Sequence, residues 1–460
     1  MKKLFFVLSV LLLSFSLFAS GLYTTGNLLA LMEENNTEVK KARESVQKAY
    51  LDIQDAKGSY CPSVDLTLSG SYIANPMEAI RINPSDYVNM PGVVSSDYIT
   101  LYKGQESTYY QFKVELIQPL YTSGKLSNAV KLANEAYEAR ILDLQRTIED
   151  NSVKVKAQCA ALHYLNELYA VVDETSSLSE RLVELSLSAF ENGMMIESEY
   201  KTIVAKARAT DSAKAQILSQ IIALEANIGS LCGLEDFSSS SLVFNEEELE
   251  ALYEEIDSYS YGELKDLSVS ERRTVLRLLK KMEEISLAAR NFASAKISWK
   301  PDVALVVDFD YTGSRFPLIE KDWYRQDDWS GTVTVAIKTT LFDAGASSRD
   351  LSRAVSDMAE AEIDSSQARS QILTTLAENY GTYISSASDA DYQNSLYESY
   401  QSTLTNKKTL MDSGYGSESD YIQSQIDLSS CKADLIRANM NRAVAAYTIS
   451  YLCDLTGAEN

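Results

Sequence analysis

Four short segments of the chain alternate apolar and polar residues with a period of two. Val64, Leu66, Leu68 and Tyr72 are interleaved with Asp65, Thr67, Ser69 and Ser71. Tyr110, Phe112, Val114 and Leu116 are interleaved with Gln111, Lys113 and Glu115. From Pro301, Val303, Leu305, Val307, Phe309 and Tyr311 fall on one face, with Asp302, Ala304, Val306, Asp308 and Asp310 on the other. Val333, Val335, Ile337 and Leu341 oppose Thr332, Thr334, Lys338 and Thr340. Successive side chains of a strand point to opposite faces, so the pattern predicts four strands, at about 62–73, 108–119, 301–312 and 329–341. Each is about ten residues, the length a tilted strand needs to cross a bilayer. Tyr60, Tyr109, Tyr121, Trp299 and Trp329 stand near their ends, where an interfacial aromatic girdle would sit. A soluble sheet with one wet face would show the same alternation.

The rest of the chain reads as helix. All seven prolines lie in two windows, Pro62 to Pro119 and Pro301 to Pro317, and helix interiors exclude proline. Between Lys125 and Asn192 there is neither Gly nor Pro, and Ala, Leu, Glu, Lys and Gln, all good helix formers, abound. At 1.5 Å per residue a continuous helix here would run roughly 100 Å. Such a length suits a coiled coil or a helical tunnel rather than a globular domain.

The second half repeats the first. Y-T-S-G at Tyr121–Gly124 matches F-D-A-G at Phe342–Gly345, N-G-M-M-I-E-S-E-Y from Asn192 matches S-G-Y-G-S-E-S-D-Y from Ser413, and L-C-G-L from Leu231 matches L-C-D-L from Leu452. All three pairs are 221 residues apart. Upstream, Y-C-P from Tyr60 and W-K-P from Trp299 are 239 apart, so the first strand–loop–strand unit carries a loop 18 residues longer. Loops tolerate such insertions. The chain therefore divides into a leader at 1–20, a first repeat at 21–238 and a second at 239–460. Tip turns are expected at about 190–200 and 411–421, around Gly193 and Gly414, where a left-handed glycine suits a helix end.

Lys2 and Lys3, an apolar run from Leu4 to Phe18 and the small residues Ala19, Ser20 and Gly21 form a secretory signal peptide too short to be a membrane span. The formal charge of −23 becomes −25 without Lys2 and Lys3, which argues against nucleic acid and anionic membrane surfaces as partners. Cys61, Cys159, Cys232, Cys431 and Cys453 are odd in number and lack C-x-x-C spacing. They read as small buried apolar residues rather than as a metal site or disulfide framework. The single histidine, His163, has no His or Cys neighbour in sequence and reads as structural or surface. No catalytic constellation, cofactor motif or metal motif emerges.

Four strands cannot close by themselves, and lipid permits no open sheet edge. Eight strands make a barrel filled by its own side chains, whereas three chains of four strands make twelve, wide enough for a passage. The polar faces carrying Asp302, Asp308, Asp310, Lys113 and Glu115 then line a water-filled lumen, and the long helices continue the tube.

These residues resemble the TolC family of outer-membrane efflux proteins. The carriers are the strand entries Pro62, Val64, Leu66 and Pro301, Val303, Leu305, the turns Q-P-L-Y-T-S-G and T-T-L-F-D-A-G, and the glycine motifs from Gly193 and Gly414. The resemblance implies a mainly α fold with transmembrane β: a homotrimeric 12-stranded barrel continued by a periplasmic helical barrel. It implies a periplasmic adaptor docked on the tips, with Gly193, Ser198, Gly414 and Ser419 as candidates. An inner-membrane transporter follows behind the adaptor, in efflux or type I secretion. It also implies an acidic ring at the entrance from Asp420, whose first-repeat counterpart is Glu199. The family's second acidic position is Gln423 here, and its tip arginine is replaced by Met195 and Gly416. Asp420 equally suits a helix N-terminal acid. A structural coiled-coil protein of the envelope is the alternative; it has no use for four amphipathic strands.

Overall fold

The computed structural model describes residues 22–83, 99–313 and 329–455. The proposed signal peptide and residues 84–98 and 314–328, within the two strand connections, lie outside the described residues. In chain order the elements are β1 (Tyr23–Thr24), α1 (Thr25–Asn35), α2 (Thr37–Gly58), β2 (Ser63–Tyr72), β3 (Ile80–Ile82), β4 (Ile99–Tyr102) and β5 (Thr108–Tyr121). They continue with α3 (Lys125–Glu191), α4 (Glu197–Cys232), β6 (Leu242–Val243), α5 (Glu246–Asp257), α6 (Tyr261–Ser268) and α7 (Thr274–Ala295). Last come β7 (Asp302–Gly313), β8 (Trp329–Lys338), α8 (Ala346–Asp412) and α9 (Glu418–Cys453).

The duplication is built into the backbone. Helices α3 and α8 each have 67 residues, α4 and α9 each 36, and all four pairs of ends are 221 residues apart. The unusual backbone positions repeat too. Ser123 and Gly124 adopt positive φ before α3, as Ala344 and Gly345 do before α8. Gly193 and Gly414 do so at the hairpin turns, and Gly233 and Asp454 at the ends of α4 and α9. A left-handed residue is what lets a helix stop and the chain reverse, so the same four punctuation points fix the shape of each half.

The chain forms two compact units that cut across the repeats. One comprises residues 1–48, 138–282 and 360–460, the other 49–137 and 283–359. In the first unit, α1 packs on α4, and α5 and α6 pack on α9. One core gathers Leu28, Met32, Val155, Leu162, Ile228 and Cys232; a second gathers Leu249, Ile256, Leu264, Leu376, Tyr383 and Ile449. Fully burying such a side chain contributes about 1.5–3 kcal/mol. Asn36 breaks α1 from α2: its side chain accepts the N–H groups of Glu38 and Val39 and donates to Leu231 O at 3.1 Å.

The second unit contains an antiparallel sheet in the order β2-β5-β7-β8. Two strand ends differ from the alternation, and one ribbon is new. β5 runs on to Tyr121 through a register shift at Pro119, since a proline without an N–H is tolerated at a bulge. β8 stops at Lys338 although Leu341 keeps phase. There the Thr340 N–H and the Thr339 hydroxyl both turn to Ser298 O, drawing the backbone out of the ladder. The long β2–β5 connection carries a ribbon of its own, β3 paired with β4. Among the described residues no helix is long and apolar enough to cross a membrane.

Candidate functional site

The strand register sorts the sheet into two chemically distinct faces. Asp65, Glu115, Asp308 and Thr332 lie opposite one another across the four strands, and Thr67, Lys113, Asp310 and Ser330 form the adjacent row. Directly opposed residues share a face, so Lys113, Glu115, Asp308 and Asp310 come together. Lys113 Nζ lies 2.7 Å from Glu115 Oε2 and 3.4 Å from Asp308 Oδ1. Asp302 sits apart at the strand base, where Lys125 donates to it at 2.7 Å. The opposite face presents Val64, Leu116, Val307 and Val333 in one row and Leu68, Phe112, Tyr311 and Trp329 in another. Its apolar side chains on β2 and β8 stand open: Leu66 is 64% exposed and Val333 71%. The polar side chains of these outer strands stand open as well, so neither face is covered within one chain. A sheet whose apolar face is not packed on a core is inverted relative to a soluble sheet and suits a lipid exterior with a wet interior.

At the hairpin tips, glycine geometry sets the turns. The Met194 N–H closes onto Ala189 O and the Tyr415 N–H onto Leu410 O, at the same repeat positions. Gly193 and Gly414 have φ of 70° and 77°, and a Cβ at either would meet open space, so only backbone conformation requires glycine there. Helix α9 then starts at a Ser417 cap whose Oγ accepts the Asp420 N–H at 3.1 Å and lies 3.0 Å from Ser419 Oγ. Asp420 and Glu199 each occupy the third position of their helix with an exposed carboxylate. Carboxylates there favour the helix macrodipole. Ser198 contributes its carbonyl to the Thr202 hydroxyl.

Within the tip turns expected at 190–200 and 411–421, the structure singles out further residues. Met194, Ile196 and Tyr415 are 77%, 62% and 88% exposed, and Phe190 stacks on Tyr200 with ring centres 5.6 Å apart. Apolar residues within glycine-marked turns were the available signal. A guanidinium is also present at the tip, although neither glycine motif supplies one. Arg181 of α3 reaches Glu418 of α9 at 3.1 Å, while the repeat-related Glu197 pairs with Lys201 on its own helix at 2.6 Å. The Lys201 ammonium hydrogen-bonds Glu197 and holds its carboxyl below the usual range.

A third feature was not legible locally. Within the first unit, an open cavity of about 570 Å³ is lined by Glu167, Glu246, Glu250, Glu254, Asp257 and Arg442, among others. The Arg442 guanidinium lies over the rings of Tyr253 and Tyr383, 4.1 and 4.9 Å from their centres, and donates to Tyr383 Oη at 3.0 Å. Burial pushes the Tyr383 and Tyr164 hydroxyls up to about 12. Of the cysteines, Cys159, Cys232, Cys431 and Cys453 are buried, whereas Cys61 is exposed, which corrects the expectation that all five are interior. Cys61 follows the end of α2, where the chain turns toward β2. Burial raises the Cys159 thiol to about 12 and those of Cys232 and Cys453 to about 11, so they are inert.

The family model described as outer membrane efflux protein matches residues 28–233 and 277–452. No curated protein sequence matches this one. Among the solved structures that share the fold are CusC, VceC and CmeC. CusC is 14% identical with a TM-score of 0.67, over 93% of this chain and 91% of that one. The outer membrane protein VceC of Vibrio cholerae is 14% identical with a TM-score of 0.68, over 93% and 95%. The CmeC outer membrane channel of Campylobacter jejuni is 12% identical with a TM-score of 0.68, over 93% and 85%. The two matched stretches fall on the two repeats, and the inverted sheet supplies the physical reason for the location: the chain belongs to the outer membrane efflux protein family, as an exit channel of the outer membrane.

Proposed function

We propose that three copies of this chain close edge to edge, β8 of one against β2 of the next, into a twelve-stranded barrel whose lumen carries Lys113, Glu115, Asp302, Asp308 and Asp310. The observation that carries this reading is the inverted sheet. Its apolar face needs lipid, and its two outer strands need partners because open edges are not tolerated in a bilayer. The helical hairpins continue the passage. Their tips, with Gly193, Ser198, Gly414 and Ser419 at the turns and Met194 and Tyr415 exposed beside them, receive a periplasmic adaptor that links the channel to an inner-membrane transporter. At the entrance the Asp420 carboxylates of three copies form a ring that favours cations, as carboxylate rings do in cation channels. Efflux of small molecules and secretion of proteins both use such a passage, and the transporter behind it selects the cargo.

Negative-stain electron microscopy of the detergent-purified protein tests the assembly. The expected result is elongated particles with three-fold end views, accompanied by an SDS-resistant, heat-modifiable trimer from the outer-membrane fraction. Compact single-chain globules or loose fibres would overturn it and return the chain to a structural role in the envelope.

A further inference from the structure

His163 occupies a setting unlike that of a spare core histidine. It is half-buried on α3, its ring stacked on Phe244 at 4.8 Å and edge-on to Tyr164 at 5.2 Å. These two aromatic contacts fix the plane of the imidazole. Its Nε2 faces two carboxylates, 3.1 Å from Glu246 Oε1 and 3.7 Å from Glu167 Oε1. Glu167 stands one helical turn further along α3, and Glu246 opens α5. One donor atom from each residue lies within 4.8 Å of the other two.

Zinc binds imidazole nitrogen and carboxylate oxygen at about 2.0–2.2 Å, which puts tetrahedral ligands about 3.3–3.6 Å apart. The two Nε2–oxygen separations bracket that spacing. The two carboxylate oxygens lie within 4.8 Å of each other, and their exposed stems can swing them to ligand spacing without moving the backbone. The cation nearest in the same cavity, Arg442, is already held by Tyr253, Tyr383 and Asp257, so it does not neutralise the pair. We propose that His163, Glu167 and Glu246 form a site for a divalent first-row transition metal such as Zn2+, with the fourth position open to water. The nitrogen ligand sets it apart from a generic acidic patch: carboxylates alone suit Mg2+ and Ca2+, whereas imidazole favours zinc, copper and nickel. A metal there would staple α5, at the start of the second repeat, onto the long helix α3 of the first. It is independent of the barrel and of the tips.

The test is a Zn2+ titration of the full-length detergent-purified protein, stripped with a chelator and held in a large excess of Mg2+ to occupy the acidic surface. One Zn2+ per chain is expected. His163→Gln and Glu246→Gln should each weaken binding about tenfold or more, whereas Glu250→Gln, in the same cavity, should leave it unchanged. Co2+ added to the unaltered protein should give visible tetrahedral absorption, an assay that needs no variant to fold. Absence of those bands, or Zn2+ affinity equal in the unaltered protein and in Glu246→Gln, would overturn the site and leave His163 as a hydrogen-bonding partner of two glutamates.

Discussion

The two longest helices, α3 and α8, have the same length and the same ends, yet they are covered differently. Near mid-helix the pairs agree: Val155 and Leu376 are both fully buried, as are Leu162 and Tyr383. Toward either end they part. Leu142 is 6% exposed but its counterpart Ile363 is 64%, and Val171 is 6% exposed but Tyr392 is 61%. The returning helices reverse the bias: Ala443 of α9 is fully buried against the α5 and α6 core, while Ile222 at the same place on α4 is 56% exposed. A duplicated backbone therefore carries two different environments. Helices α5 and α6 cover α9, α1 covers α4, and each repeat leaves a different apolar strip open. In the proposed trimer such strips are the surfaces that a neighbouring copy would cover. This is the helical analogue of the open strands β2 and β8.

The largest expected effect comes where the repeats agree. Leu376→Ala removes a fully buried side chain and should destabilise the fold by about 2–5 kcal/mol, read as a lower thermal midpoint in detergent. Val155→Ala should act in the same direction and by less, since fewer methyl groups are lost. If Leu376→Ala left the midpoint unchanged, the shared mid-helix core would not be what holds the helices.

The next effect separates the two environments. Ile363→Asp places a charge on a residue that one chain leaves open, so helix content should persist while the SDS-resistant oligomer is lost. Leu142→Asp, at the same repeat position but buried within the chain, should lower the thermal midpoint of the folded chain itself. An Ile363→Asp protein that still ran as a trimer would place the strip against solvent, where surface substitutions cost no more than about 0.5 kcal/mol.

Much of this architecture was legible because it is repetitive. Y-T-S-G against F-D-A-G and the two glycine motifs gave the 221-residue offset, and the helices obey it at all four pairs of ends. Strand phase was legible from period two, since a one-residue slip would put every charge into lipid. Strand ends were not: Leu341 continues the alternation, but Ser298 captures the backbone and side chain of the two threonines before it. Contacts between distant positions were invisible. Glu167 lies one turn from His163 and could have been noticed; Glu246, 83 residues from His163, could not. Nor could Arg181 be paired with Glu418 from sequence. The differing cover on α3 and α8 depends on α1, α5 and α6, which lie outside the repeated pattern.

The smallest effect concerns the acids at the tips, where the repeats again start alike. Glu197 and Glu418 are repeat counterparts, and each has a cation, Lys201 on the same helix for one and Arg181 on α3 for the other. Two positions further on, Glu199 and Asp420 have no ion pair among the described residues, so their exposed carboxylates keep their full field. If Asp420 rings the entrance, Asp420→Ala should shift the reversal potential in a salt gradient toward zero. Glu199→Ala should do so less, because only the second-repeat position corresponds to the entrance in the resemblance. Both residues also sit in the first turn of a helix, where loss of the acid costs about 0.3–1 kcal/mol of helix stability, so each variant should lose that much whichever role it has. The electrical readout is what discriminates. A reversal potential unchanged by Asp420→Ala, with the small loss of stability still present, would reduce Asp420 to a helix-stabilising acid. Equal shifts from both variants would mean that the two repeats contribute alike to the aperture, and the asymmetry that separates α3 from α8 would end before the tips.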